Sequence, residues 1–378
     1  MKRLLIMALA LMMIMAFSAV PAFAAAKEVV QVSDKYYEYD PMGDGYFIEY
    51  EWYKTYESGY LKKHKNVNYN RDFDDKTKFS TNTTVTTYTY DSGRLMKTLG
   101  KTDGKTGRTV IFTYKGKRVK TMTYKYAGKN QSKTSFVYDS KGRLIKESVF
   151  YYQNSKWVKQ SYNIYTYDSK GRIKTDITYE KENGKWTEYG KEIHTYSGKK
   201  HTQKHYEEGK FMSKSVETMN SKGNVTKRVY TSNYDKNGAG YTETTTWTYF
   251  KNGEIKTYKS EDSTGFSTNV SFRSDGQQKN SITKDDTHES YTSYKYNDKG
   301  FPTEYYYKQT INYTDTSGNV QPQTDEATFT YEYDGYYRTD YPETIYTYRN
   351  GVLQSMEVRG YKYIVDKTPA QVEEMEDI

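Results

Sequence analysis

Tyr165-Thr166-Tyr167-Asp168-Ser169-Lys170-Gly171-Arg172-Ile173 decides the reading of this chain, because it recurs. Phe136-Val137-Tyr138-Asp139-Ser140-Lys141-Gly142-Arg143-Leu144 is the same unit, and Tyr88-Thr89-Tyr90-Asp91-Ser92-Gly93-Arg94-Leu95 is a copy one residue shorter. Less complete copies begin at Tyr37, Tyr294 and Tyr346. In each, two alternating aromatic residues lead through a polar turn to Gly. Alternation is the periodicity of a strand. Asp accepts local backbone hydrogen bonds and opens a turn, and Gly takes the left-handed position that closes it. A unit repeated in this way sets the architecture of the whole chain.

Working outward, turns of two kinds alternate. The first ends in Gly116, Gly142, Gly171, Gly198, Gly223, Gly253, Gly276 and Gly300. The second falls midway, at Lys129-Asn130, Asn154-Ser155, Asn183-Gly184, Glu208-Gly209, Asn237-Gly238 and Thr264-Gly265. A period of about 27 residues with two turns leaves strands of roughly 8 to 10 residues. The expected fold is all-β: one long antiparallel meander of about 20 or more strands over residues 25–366, which twist turns into a coil or shell. Residues 57–82 read as looser, with an irregular insertion. Thr368-Pro369 followed by Ala370, Gln371, Val372 and Glu373 predicts a short helix or acidic tail over 367–378.

The Tyr-x-Tyr-Asp-x-x-Gly-Arg-Leu/Ile unit, best matched over Tyr88–Leu95, Phe136–Leu144 and Tyr165–Ile173, resembles the YD repeat of the Rhs and teneurin-type proteins. It is also similar, more weakly, to the YwqK-like antitoxin repeats. The first resemblance implies a large extracytoplasmic β-structure whose strands spiral into a hollow shell, with carbohydrate binding by the repeats.

Lys2 and Arg3, the apolar run Leu4–Phe17 and the small-x-small site Ala22-Phe23-Ala24 have the form of a signal peptide over residues 1–24. The run is shorter than the roughly 20 residues that span a bilayer. The expected location is secreted or extracellular, and no later segment reads as a membrane span. There is no Cys, so disulfides and thiolate chemistry are excluded. Removal of Lys2 and Arg3 from the formal net charge of +9 leaves about +7. The lysines are dispersed. They suit a solvated sheet face, or attraction to an anionic wall polymer. No compact basic stripe points to nucleic acid.

Tyr is the unusual residue, 45 against 14 Phe and 4 Trp. A mean hydropathy of −1.03 would suggest disorder in most chains. Here the Tyr and Thr sit at strand spacing, and a Tyr ring can be buried while its hydroxyl finds a partner. Each midway turn is followed by an aromatic residue: Trp157, Trp186, Phe211, Tyr241 or Phe266. Even spacing puts Trp157 with Tyr165 and Tyr167, Trp186 with Tyr196, Tyr241 with Tyr249 and Phe266 with Phe272 on one face, provided no bulge intervenes. Between them would run Lys159, Ser161 and Asn163, or Glu188, Gly190 and Glu192. Rings beside hydrogen-bonding groups suit a polysaccharide. The same ladder also suits simple packing of equivalent positions.

His201 and His205 are four apart with His194 nearby, but in strand context they do not read as a metal site. Asp72, Asp74 and Asp75 lack the Gly and Glu of a calcium loop. No catalytic motif occurs. The expectation is a non-enzymatic, cofactor-free carbohydrate or wall-polymer binder, with a structural or protein-interaction scaffold as the alternative and, behind both, a glycoside-active enzyme, for which Glu188, Glu192 and Glu243 recur without singling out one pair.

Overall fold

The computed structural model describes residues 28–40, 45–71, 79–233, 240–314, 320–337 and 341–364. The expected signal peptide, Asp72 to Asp75, the Asn237-Gly238 turn and the C-terminal helix lie outside them. The described residues form an antiparallel β-meander. Its strands are β1 (Glu28–Asp40), β2 (Gly45–Glu57), β3 (Tyr60–Arg71), β4 (Phe79–Asp91), β5 (Arg94–Thr102), β6 (Lys105–Lys115), β7 (Arg118–Tyr126) and β8 (Lys129–Tyr138). They continue with β9 (Leu144–Gln153), β10 (Lys156–Tyr167), β11 (Ile173–Glu182), β12 (Lys185–Ser197), β13 (Lys200–Glu207), β14 (Lys210–Met219), β15 (Val225–Ser232) and β16 (Tyr241–Tyr249). The last are β17 (Ile255–Asp262), β18 (Ser267–Phe272), β19 (Gln278–Lys284), β20 (His288–Tyr296), β21 (Pro302–Thr314), β22 (Val320–Tyr337), β23 (Tyr341–Arg349) and β24 (Val352–Ile364).

The chain divides into two compact units, residues 1–133 with 333–346 and 354–378, and residues 134–332 with 347–353. In the first, β1 pairs with β2 on one side and with β24 on the other, so it is not an open edge. Tyr88, Leu95, Thr98, Val110, Phe112 and Val119 are buried, and register places them on one face. That unit has an apolar face. The second unit, in which β9 to β22 pair in succession, carries a polar one, with buried Glu147, Thr245 and Ser260.

Both turn types have a backbone explanation. At Asp139–Arg143 and Asp168–Arg172 the Asp N–H donates to the Arg carbonyl four residues on and the Gly N–H donates to the Asp carbonyl, with Gly142 and Gly171 at φ 84° and 83°. Asp168 Oδ1 accepts the Lys170 and Arg172 N–H groups, each at 2.9 Å. The shorter copy at Ser92-Gly93 is a two-residue turn with both φ positive, as are Asn154-Ser155, Asn183-Gly184 and Glu208-Gly209. This geometry follows the right-handed twist of paired strands.

Four expectations need correction. The turn expected at Lys129-Asn130 is Ala127-Gly128, where Gly128 accepts φ 77°. Gly116 and Gly198 open two-residue turns instead of ending longer loops. Thr264-Gly265 belongs to a longer loop, in which Asp262 N–H meets the Phe266 carbonyl. Residues 60–71, read as loose, form a strand whose 63–71 pair with 79–87, with Val67 buried, while residues 72–78 of the expected insertion lie outside the described residues.

The repeat residues fasten one hairpin to the next. Tyr90, Tyr114, Tyr167 and Tyr249 donate their hydroxyls to the carbonyls of Leu61, Leu95, Leu144 and Val225 at 2.6–2.8 Å. The second Tyr of one unit thus caps the strand start of the preceding unit. Asp168 also binds Arg172 Nε at 2.8 Å. The guanidinium so held lies 3.9 Å from the centre of the Tyr196 ring, and Arg143 lies 4.4 Å from that of Tyr167.

Candidate functional site

The aromatic residues expected on one face are divided between two. In β10, Lys159 pairs with Phe150 but Ser161 pairs with Val149, so Gln160 is a bulge. In β12, Glu188 pairs with Tyr179 but Gly190 pairs with Thr178, so Tyr189 is a bulge. In β14, Phe211 pairs with Tyr206 but Ser213 pairs with His205, so Met212 is a bulge. Each extra residue reverses the facing of everything beyond it. Trp157, Trp186 and Phe211 therefore share one face, called here the Trp157 face. Tyr165, Tyr167 and Tyr196 lie on the opposite, Tyr165 face. Lys159 and Glu188 stay with the tryptophans, whereas Ser161, Asn163, Gly190 and Glu192 change sides. Regular β16 keeps Tyr241 and Tyr249 together, as expected, on the Tyr165 face. Phe266 lies in the loop before β18 and is 38% exposed.

On the Trp157 face a cluster of rings forms around Tyr162, which the Gln160 bulge brings there. Tyr162 stacks on Tyr179 at 4.7 Å and meets the edge of Trp186 at 4.9 Å. Tyr152 and Trp157 make a second edge contact at 5.0 Å. The ammonium groups of Lys146 and Lys159 lie 4.5 and 4.1 Å from the Tyr162 ring centre. Tyr152 and Trp186 remain exposed.

The Tyr165 face carries a cavity of about 500 Å³ across β12 to β16. Register brings its lining together: Glu192 opposite His205, Gln203 opposite Ser215, Ser215 opposite Tyr230, and Tyr230 opposite Glu243. Ser213 and Arg228 complete it. The short serines of β14 leave the depression, and longer side chains wall it. Gln203 Nε2 donates to Glu192 at 2.9 Å, and Ser260 Oγ donates to Glu243 at 2.6 Å. Tyr241 supports Tyr230 by an edge contact at 6.2 Å.

A line of titratable groups approaches this cavity from β9. Asn163 donates to the Tyr165 hydroxyl at 3.2 Å, and that hydroxyl faces Glu147 at 3.5 Å. Burial pushes the Glu147 carboxyl up to about 7, and the Asp176 charge adds to the rise. Burial and then the Glu192 charge push Asp176 up to about 7 as well. Burial raises Tyr165 strongly. Glu192 goes the other way: the hydrogen bond from His194 holds it below the usual carboxylate range despite burial. His194 and His201 stack and approach to 3.1 Å through Nδ1 and Nε2, and His201 meets Glu217 at 3.1 Å. Among the described residues, no group of three or more His, Asp or Glu could hold a metal ion, and no helix is long and apolar enough to cross a membrane.

The cavity is the part that sequence reasoning missed. Its signal was the alternation of His201, Gln203 and His205 against Glu192 and His194 across the Gly198 turn, a pattern that is informative once the segments are strands.

No protein-family model and no curated relative matches the chain. Some solved structures are partly similar. A protein of unknown function from Bacteroides fragilis aligns with 29% of this chain and 86% of its own, at 9% identity and a TM-score of 0.25. TcdB2-TccC3 aligns with 84% of this chain and 21% of its own, at 9% identity and a TM-score of 0.26. A porin-like protein from Bacteroides uniformis aligns with 88% and 98%, at 11% identity and a TM-score of 0.25. No role passes from them to this chain.

Proposed function

We propose that this chain is an exported, non-enzymatic β-repeat protein that binds carbohydrate or a wall polymer across its Trp157 face. The observation that supports this is the gathering of Trp157 and Trp186 on one face with Tyr152, Tyr162 and Tyr179, the rings of Tyr152 and Trp186 remaining exposed. Lys146 and Lys159 add positive charge beside the rings, which suits an anionic polymer. Export rests on Lys2, Arg3, the Leu4–Phe17 run and Ala22-Phe23-Ala24.

The scaffold reading has its own support, since Tyr162 is already in contact with Tyr179, Trp186 and two lysines. Trp157→Ala with Trp186→Ala separates the two. As binding platforms, each ring contributes on the order of 1–2 kcal/mol to retention on a polysaccharide column, and retention falls further than melting does. As packing residues, each costs about 3 kcal/mol of stability, and the protein that stays folded is retained as before. The second outcome removes the binding proposal.

A further inference from the structure

The cavity on the Tyr165 face is separate from the tryptophans and differs in chemistry. Its charged and polar side chains are in contact with one another. Glu192 has His194 at 3.6 Å and His205 at 3.8 Å, and Arg228 lies 3.8 Å from Glu243. Glu243 further accepts from Ser260 and from Thr245, the latter at 3.0 Å. An anion entering the cavity would meet the two carboxylates, and a cation would meet Arg228. Either would leave a charge without its counterpart in a partly buried site, which is unfavourable.

Hydrogen-bonding capacity, by contrast, is left over. Arg228 Nε and His205 Nδ1 are buried atoms with no hydrogen-bond partner. Buried polar atoms are rarely left in that state without a reason. Ser213, Ser215 and Tyr230 add hydroxyls that can donate and accept. The volume lies within the range of small-molecule sites, about 300–1,000 Å³.

We infer that this cavity binds a small neutral polyhydroxylated molecule, a single sugar ring or a cyclic polyol. Its hydroxyls donate to Glu192, to Glu243 and to His205 Nδ1, since His205 Nε2–H faces the Glu207 carboxylate at 3.3 Å, and they accept from Arg228. Its apolar ring edge rests against Tyr230, which Tyr241 holds in place. Ser213 and Ser215 must stay small for the ring to enter.

The test is calorimetric titration of the full chain with glucose, galactose, mannose, N-acetylglucosamine and myo-inositol, using acetate, phosphate and ethanolamine as ionic probes. At least one neutral probe should saturate in the millimolar range. Ser215→Leu fills the floor without touching a charge and should weaken that binding by more than about tenfold while melting is kept. Lys204→Ala, on the other face of the adjacent strand, should leave it unchanged. If Ser215→Leu does not fold, Arg228→Gln removes one unpartnered donor and should weaken binding about tenfold. The inference is overturned if no neutral probe saturates, if an ionic probe binds more tightly than every neutral one, or if the floor or donor variant keeps full affinity. None of these results bears on Trp157 and Trp186, which lie on the opposite face, so the two proposals fail separately.

Discussion

Glu147→Gln should change how stability depends on pH, and the structure sets the size of the effect. Glu147 is 7% exposed, accepts at long range from Tyr165, and is disfavoured as an anion by the Asp176 charge. Its carboxyl moves from an ordinary 4.5 up to about 7. The folded protein therefore holds this proton more tightly than the unfolded chain does. Stability is fully present below about pH 4.5 and is lost as pH rises through about 7. At about 1.4 kcal/mol per tenfold change in proton affinity, the loss is about 3 kcal/mol at most. Urea denaturation at about pH 4, 6 and 8 measures it. Gln keeps an acceptor for the Tyr165 hydroxyl and carries no charge. The variant should match the wild type at the lowest pH and exceed it by up to about 3 kcal/mol at the highest. Part of the slope should remain, because Asp176 titrates in the same window. The two are coupled, so the double variant with Asp176→Asn tests them as a pair. If Glu147→Gln leaves the wild-type pH profile superimposable, burial of this carboxyl is not what destabilises the folded state, and the argument fails.

Two further outcomes concern the turns and the repeat fastening. Gly171→Ala should cost about 1 kcal/mol in urea midpoint, since an added Cβ would meet nothing closer than Arg143 Nη1 at 3.8 Å and the cost is that of φ 83° alone; an unchanged midpoint would contradict the turn geometry. Tyr167→Phe removes the 2.6 Å bond to the Leu144 carbonyl and should cost about 1 kcal/mol with the ring still packed; a neutral result would show that water replaces the hydroxyl.

The legible part of the fold was the part written in local chemistry. Asp-Ser-Lys-Gly and Asn-Gly specify turn geometry within a few residues, so the meander and its period could be read before any pairing was known. The facing of the side chains could not. Gln160, Tyr189 and Met212 have no common residue type, and an extra residue in a strand shows itself only through its partner across the ladder. Even spacing therefore sets Trp157 and Trp186 on a common face, as the structure has them, but sets Tyr165 and Tyr196 there too, where the bulges turn them away. The cavity was hidden for the same reason. Even spacing sets Glu192 beside Trp186 and Glu188, and only the Tyr189 bulge turns it toward Gln203 and His205.

The repeat also explains how one face of the second unit can carry so many polar groups. Hairpins joined only by burial would need an apolar face, as Leu95, Val110, Phe112 and Val119 provide in the first unit. The Tyr-to-carbonyl bonds, the Asp-held Arg over the next Tyr and the closed turn loops sit at the strand ends and in the backbone. They do not depend on the mid-strand residues. Tyr167 and Tyr249 make the same bond at 2.6 Å, although polar mid-strand residues fill the face between them. With the strands fastened at their ends, positions such as Glu192, His205, Arg228 and Glu243 are not required for packing. Arg228 Nε and His205 Nδ1, left without hydrogen bonds, add nothing to it. A partly open polar cavity at mid-strand is then a site the scaffold can hold open, and a ligand is what its unused hydrogen-bonding atoms lack.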